Sequence, residues 1–132
     1  MIKTVKRFLL VDDDLLNNTL SKMVLKRYLG EVKLKDFVIP EEAIEYIKSE
    51  FADKPFEEKT TLLLDFNMPS MTGWEFLEIF KTFEEPIQKQ FNIYMLSSSV
   101  DESDIERAKL NPLVIDFIEK PLNKAILARI FC

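Results

Sequence analysis

The sequence predicts an α/β fold: a parallel β-sheet with helices on both faces. Three observations carry that reading. Short, continuously apolar runs recur along the chain, as strands buried on both faces require. Segments with helical spacing lie between them. The connections are too long for hairpins, so strand and helix alternate five times, as βαβ units do.

Phe8-Leu9-Leu10-Val11 reads as the first strand. Leu16, Leu20, Met23 and Val24 then fall on one face of a helix. Lys33 to Ile39 is more polar and suits an edge strand. Pro40-Glu41-Glu42 marks a helix start, and Ala43, Ile44 and Ile47 supply its apolar side. The charged stretch from Ala52 to Thr60, which holds Pro55, reads as a surface loop. Leu62-Leu63-Leu64 is the third strand, and Phe76, Leu77, Phe80 and Phe83 form a helical stripe after Gly73. Ile93-Tyr94-Met95-Leu96 is the fourth strand. The acid-rich start Asp101-Glu102-Ser103-Asp104 precedes a helix through Ile105, Ala108 and Lys109. Val114 to Ile118 is the fifth strand, and Leu122 to Phe131, after Pro121, a short last helix.

The chain has 132 residues, which predicts one domain with no output domain attached. The net charge of −5 argues against a nucleic-acid or membrane-surface binder, since both need a cationic face. Histidine is absent, which excludes Ser-His-Asp and Cys-His catalysis, His-ligated zinc and a phosphohistidine on this chain. The single cysteine, Cys132, excludes an internal disulfide and fits a reducing, cytoplasmic setting. With Gly30 and Gly73 as the only glycines, no Gly-rich phosphate loop can be written. No apolar run approaches the ~20 residues of a membrane helix.

Ligands of open parallel sheets bind at the carboxyl ends of the strands. There the sequence places Asp12-Asp13-Asp14, then Asp65-Phe66-Asn67, then Ser97-Ser98-Ser99, then Lys120-Pro121. Asp14 reads as the N-cap of the first helix. Two like charges ~4 Å apart repel by about 1 kcal/mol in water and about 4 kcal/mol at an effective dielectric constant of 20. A rim carrying Asp12, Asp13 and Asp65 therefore raises a pKa or recruits a cation. Mg²⁺ suits such oxygen ligands and shares its remaining positions with phosphate. Lys120 and the Ser97 hydroxyl can serve further phosphate oxygens. These residues describe a site for a phosphoryl group on a carboxylate.

Four segments, in order and at strand ends, carry a family resemblance: Leu10-Val11-Asp12-Asp13, Leu63-Leu64-Asp65-Phe66-Asn67-Met68-Pro69-Ser70-Met71-Thr72-Gly73, Met95-Leu96-Ser97-Ser98 and Phe117-Ile118-Glu119-Lys120-Pro121. Over essentially its whole length the sequence resembles the receiver domain of two-component response regulators, of the stand-alone, chemotaxis-regulator-like type. The resemblance implies a flavodoxin-like (βα)5 fold, a doubly wound five-stranded parallel sheet in the order 2-1-3-4-5. It implies a cytoplasmic signalling receiver, not an enzyme, that assists its own phosphorylation and dephosphorylation. Asp65 would be the phosphoacceptor, served by a sensor histidine kinase or a histidine phosphotransfer protein. Asp13 would be the main ligand of Mg²⁺ or Mn²⁺, with Asp12 supporting it, partly through water, and with Asp65 and the Asn67 backbone carbonyl completing the protein's share. Lys120 would pair with Asp65 and then with the phosphoryl group, and Pro121 would follow a cis bond. Ser97 and Phe117 would form the switch that alters the face made by the fourth strand, the helix after it, the fifth strand and the last helix.

The sequence departs from the family's habits in places. The switch hydroxyl is Ser97 where many relatives carry Thr, and Thr72 precedes Gly73 where an acid is common. Asn67 and Ser99 stand at the two positions that flank the path of the hydrolytic water in the family. Two other readings compete. A haloacid-dehalogenase-type phosphatase would use Asp12 and Asp14, but Leu16 stands where its motif wants Thr. A receiver-like interaction module without phosphorylation is the other, and the intact set of Asp12, Asp13, Asp65, Ser97 and Lys120 argues against it. An EF-hand calcium loop fails because Leu16 and Asn17 replace an oxygen ligand and a glycine.

Overall fold

The computed structural model describes residues 5–52, 59–98 and 101–131. In chain order its elements are β1 (Lys6–Val11), α1 (Leu15–Leu29), β2 (Val32–Phe37), α2 (Pro40–Glu50), β3 (Thr60–Asp65), α3 (Gly73–Phe80), α4 (Glu85–Gln88), β4 (Phe91–Ser97), α5 (Glu102–Leu110), β5 (Val114–Glu119) and α6 (Lys124–Phe131). The strands form one parallel sheet in the order β2-β1-β3-β4-β5, as the resemblance implies.

Alternation along each strand divides the core in two. Leu9, Val11, Leu62, Leu64, Ile93 and Met95 pack with residues of α2 and α3 and with Ala108 of α5. Phe8, Leu10, Leu63, Tyr94, Leu96 and Ile118 pack on the other face with Leu25 of α1 and Leu127 of α6. Complete burial of one such side chain contributes about 1.5–3 kcal/mol. The central strands are thus largely apolar on both faces, while Thr60 and Thr61 of β3 and Asn18 and Ser21 of α1 are buried polar residues.

The expected first-helix face is turned the other way. Leu16, Leu20 and Met23 are 65%, 44% and 61% exposed, and Val24 is only partly buried. Asn18, Ser21 and Leu25 face inward instead. The reason is polar: the Asn18 amide is needed inside, where Nδ2 donates to the backbone oxygens of Asp12 and Phe37. Asp14 caps the helix as expected, its carboxylate accepting from the backbone N–H groups of Leu16 and Asn17.

Other boundaries shift. β2 runs Val32–Phe37, an edge strand with alternating exposure, so Val38 and Ile39 fall outside it. Phe83 follows α3 and packs on Phe80 at 5.6 Å between ring centroids. A short helix, α4, stands before β4 with Pro86 in its first turn. α6 begins at Lys124, and Asn123 Oδ1 accepts from the Ile126 backbone N–H. Of the expected loop from Ala52 to Thr60, positions 53–58 lie outside the described residues, and Thr60 opens β3. Ser99 and Cys132 also lie outside them. Among the described residues no helix is long and apolar enough to cross a membrane.

Candidate functional site

The register of the sheet brings the carboxyl ends of β1, β3, β4 and β5 to one rim. Val11 pairs with Leu64, Asp65 with Leu96, and Ser97 with Glu119. The residues that follow β1 and β5, Asp12 and Lys120, therefore stand beside Asp65 and Ser97. Together they line a cavity of about 480 Å³, with Asp13, Asp14, Asn17, Phe66, Asn67, Ser98 and Pro121.

Asp12 and Asp65 are buried, at 2% and 4% exposure, while Asp13 is exposed. Carboxylate oxygens of the three lie within 4.8 Å of one another. Lys120 bridges the two buried acids: Nζ is 2.6 Å from Asp12 Oδ2 and 2.9 Å from Asp65 Oδ1. The cis peptide bond between Lys120 and Pro121 is present. The backbone N–H of Lys120 donates to the Ser97 carbonyl at 2.7 Å, tying the ends of β4 and β5.

The acids are not equivalent. Burial pushes the Asp65 carboxyl up to about 6, and the neighbouring Asp12 and Asp13 add to the rise against the opposing pull of Lys120. Burial works to lower the Lys120 ammonium, but the carboxylates of Asp12 and Asp65 outweigh it and hold Lys120 above its usual value. The oxygen-only donor set of Asp12, Asp13 and Asp65 fits a hard divalent cation.

The approach of α3 to this rim depends on a glycine. A Cβ on Gly73 would meet Met95 Cε at 2.6 Å and the Asp65 backbone oxygen at 3.0 Å. The Gly73 N–H donates to the Phe66 carbonyl at 2.8 Å. Thr72 and Glu75 close a capping box at the start of the helix. The loop after Asp65 is thereby fastened at its far end. Within it the Asn67 N–H donates to Asp65 Oδ1 at 3.4 Å, and the Asn67 side chain is exposed.

The residues expected to form a switch lie at the same end of the sheet. Ser97 is buried on the cavity wall. Phe117 is half-buried on β5, its ring 6.1 Å from that of Phe66.

The match to known families decides what this arrangement belongs to. Residues 8–131 match the response regulator receiver domain family. The chain belongs to that family. As a receiver domain it is a signalling module, and its fold is shared by solved relatives. A response regulator receiver protein from Dyadobacter fermentans DSM 18053 is 31% identical, with 96% of this chain and 94% of that one covered and a TM-score of 0.84. A two-component response regulator from Cytophaga hutchinsonii is 25% identical, covers 98% and 96%, and has a TM-score of 0.87. The cyclic di-GMP phosphodiesterase response regulator RpfG of Xanthomonas campestris pv. campestris (strain 8004) is 31% identical over 113 residues. Those residues are 86% of this receiver domain but 27% of RpfG, so the chain spans about a quarter of that relative.

The structure brings Asp12, Asp13, Asp65, Asn67, Ser97 and Lys120 to one rim, as read from the sequence, with Phe117 nearby. Sequence reasoning missed Asn17, whose Nδ2 donates to Asp12 Oδ2 at 2.6 Å. It also missed Asn18, which fastens the Asp12 backbone from the next position of α1. The available signal was their place in the first turn after an acidic strand end, where side chains point back toward the strand.

Proposed function

We propose that this receiver domain accepts a phosphoryl group on Asp65 from a phosphohistidine of a separate sensor kinase or histidine phosphotransfer protein. The observation that carries the reading is the setting of Asp65: buried at a strand end, within ion-pair distance of Lys120 and grouped with two further carboxylates. An Asp65 carboxylate oxygen attacks phosphorus, the P–N bond to the donor imidazole breaks, and the imidazole leaves with the electron pair of that bond. Lys120 neutralises charge on the transferred oxygens. Asp13, Asp65 and the Asn67 carbonyl, with Asp12 in support, would hold Mg²⁺ or Mn²⁺, which when bound supplies further charge neutralisation at the phosphoryl oxygens.

Any phosphohistidine donor lies outside this chain, because its sequence contains no histidine. α1 starts at the rim of the cavity and offers Leu15, Leu16, Leu20, Met23 and Tyr28 to solvent, an apolar surface suited to a docked helix. Ser97 turns toward the phosphoryl group, Phe117 moves inward behind it, and the surface of β4, α5, β5 and α6 changes for a downstream protein partner. The setting is cytoplasmic, and no nucleic acid or membrane is contacted directly.

Acetyl phosphate with Mg²⁺ tests the reading. Intact-mass measurement is expected to show one added phosphoryl group, and none in Asp65→Asn. Labelling retained in that variant overturns the assignment. No labelling of the wild-type chain by acetyl phosphate or by any histidine donor leaves an interaction module instead.

A further inference from the structure

Asp12 is the most heavily bonded acid of the cluster. Its Oδ1 accepts from the Asp14 backbone N–H at 2.9 Å. Its Oδ2 accepts from Asn17 Nδ2 at 2.6 Å and from Lys120 Nζ at 2.6 Å. Its backbone carbonyl accepts from Asn18 Nδ2 at 3.0 Å, and its backbone N–H donates to Phe37 at 3.1 Å. A carboxylate offers about four acceptor sites, so Asp12 has little left for a cation.

Asp13 is the opposite case. It is exposed, and among the described residues its side chain faces the Asp65 carboxyl and receives no N–H donor. Asp65 carries Lys120 and a long contact from the Asn67 N–H on Oδ1. The lone pairs open to a cation therefore belong mainly to Asp13 and Asp65.

We propose that Asn17 is a positioning residue of the acidic cavity: its side-chain amide pins the Asp12 carboxylate in an outer sphere, so that Asp13 and Asp65 meet the divalent cation directly. This rests on the reading of the cavity as a cation site. The rotation that Asn17 restrains is the terminal torsion of Asp12, which is broad and soft when nothing holds it. Lys120 alone does not fix it, because the same ammonium is shared with Asp65. Asn17 reaches Asp12 from α1, a rigid helix anchored by the Asp14 cap and by the Asn18 clamp. Outer-shell groups of a metal site, such as Asp12 held by Asn17, typically contribute 10–100-fold to metal affinity or activity.

Calorimetric titration of Mg²⁺ into wild type, Asn17→Ala and Asn17→Gln tests the proposal without any phosphoryl transfer. Asn17→Ala is expected to bind Mg²⁺ about tenfold more weakly, and Asn17→Gln, which keeps the amide, to recover most of the loss. Cooperative melting in EDTA shows that each variant is folded. Mg²⁺ binding in Asn17→Ala that equals or exceeds wild type overturns the proposal, as does a Gln variant no better than Ala. A wild type that binds Mg²⁺ but takes no phosphoryl group refutes the phosphoacceptor reading and leaves this inference standing. A wild type that binds no Mg²⁺ refutes this one.

Discussion

The Lys120 ammonium lies 2.9 Å from the Asp65 carboxylate, with 14% of the lysine side chain and 6% of the aspartate side chain exposed. The same ammonium touches Asp12 at 2.6 Å. One cation thus serves two buried anions, with a third carboxylate, Asp13, grouped beside them.

Replacing Lys120 with Met keeps the stem but removes the charge. Two buried carboxylates then face each other uncompensated, a loss that costs about 3–5 kcal/mol when a buried partner is removed. Urea unfolding in EDTA is expected to show a drop of that order. Millimolar Mg²⁺ is expected to return more stability to Lys120→Met than to wild type, because the divalent ion replaces the missing charge. Equal stability of the two proteins in EDTA would contradict the bridging role.

The Asp65 carboxyl gives the cluster a pH dependence of definite sign. Burial first, and the neighbouring acids second, raise it to about 6, whereas an aspartate in the unfolded chain titrates near about 3.9. Between those values the folded state binds more protons than the unfolded state. Stability contributed by this group is therefore present below about pH 4, falls as pH rises toward about 6, and stays at its lower level above that. Other carboxylates impose their own slopes, so the informative quantity is a difference. Wild type minus Asp65→Asn, measured as unfolding free energy in EDTA from pH 4 to pH 7, is expected to decline across that window. A flat difference would show that Asp65 titrates normally.

The inverted face of α1 makes a sharper contrast between pattern and packing. Leu25 is fully buried, at 0% exposure, whereas Met23 is 61% exposed. Leu25→Ala is expected to cost about 2–5 kcal/mol, and Met23→Ser to fall within about 0.5 kcal/mol of wild type. Denaturant midpoints of the two variants measure both. A larger loss in Met23→Ser than in Leu25→Ala would restore the orientation that the hydrophobic spacing predicts.

That contrast also marks what the sequence could convey. Strands buried on both faces announce themselves, because Leu9 to Val11 and Leu62 to Leu64 have no polar side to confuse the period. The residues at their carboxyl ends were legible because a parallel sheet directs them all to one rim. Helix orientation was legible only where burial is apolar. In α1 the inward position goes to Asn18 for a hydrogen bond, and spacing of apolar residues carries no information about that choice. Asn17 was invisible for a related reason: an asparagine on a helix is usually solvated, and its partner, Asp12, became evident only from distance. α4 has four residues, too short to show a period, although Glu85-Pro86 carried a start signal.

Trp74 offers a readout of the whole site. It is the single tryptophan of the chain, 7% exposed, so emission reports one environment. Its ring stands edge-on to Phe66 at 5.8 Å, and Phe66 follows Asp65 directly and meets Phe117 at 6.1 Å. On its other side the Arg107 guanidinium of α5 lies 4.6 Å from the ring centroid. A movement of Phe117 therefore reaches Trp74 through one intervening ring, and a movement of α5 reaches it directly. Emission is expected to change when acetyl phosphate and Mg²⁺ are added to wild type and to stay constant in Asp65→Asn. Arg107→Ala is expected to shift the resting emission to the red, since it uncovers the indole, at a stability cost of about 0.5–1 kcal/mol. Emission that stays fixed while mass measurement shows a phosphorylated chain would disprove the coupling between Asp65 and α5 through this aromatic contact.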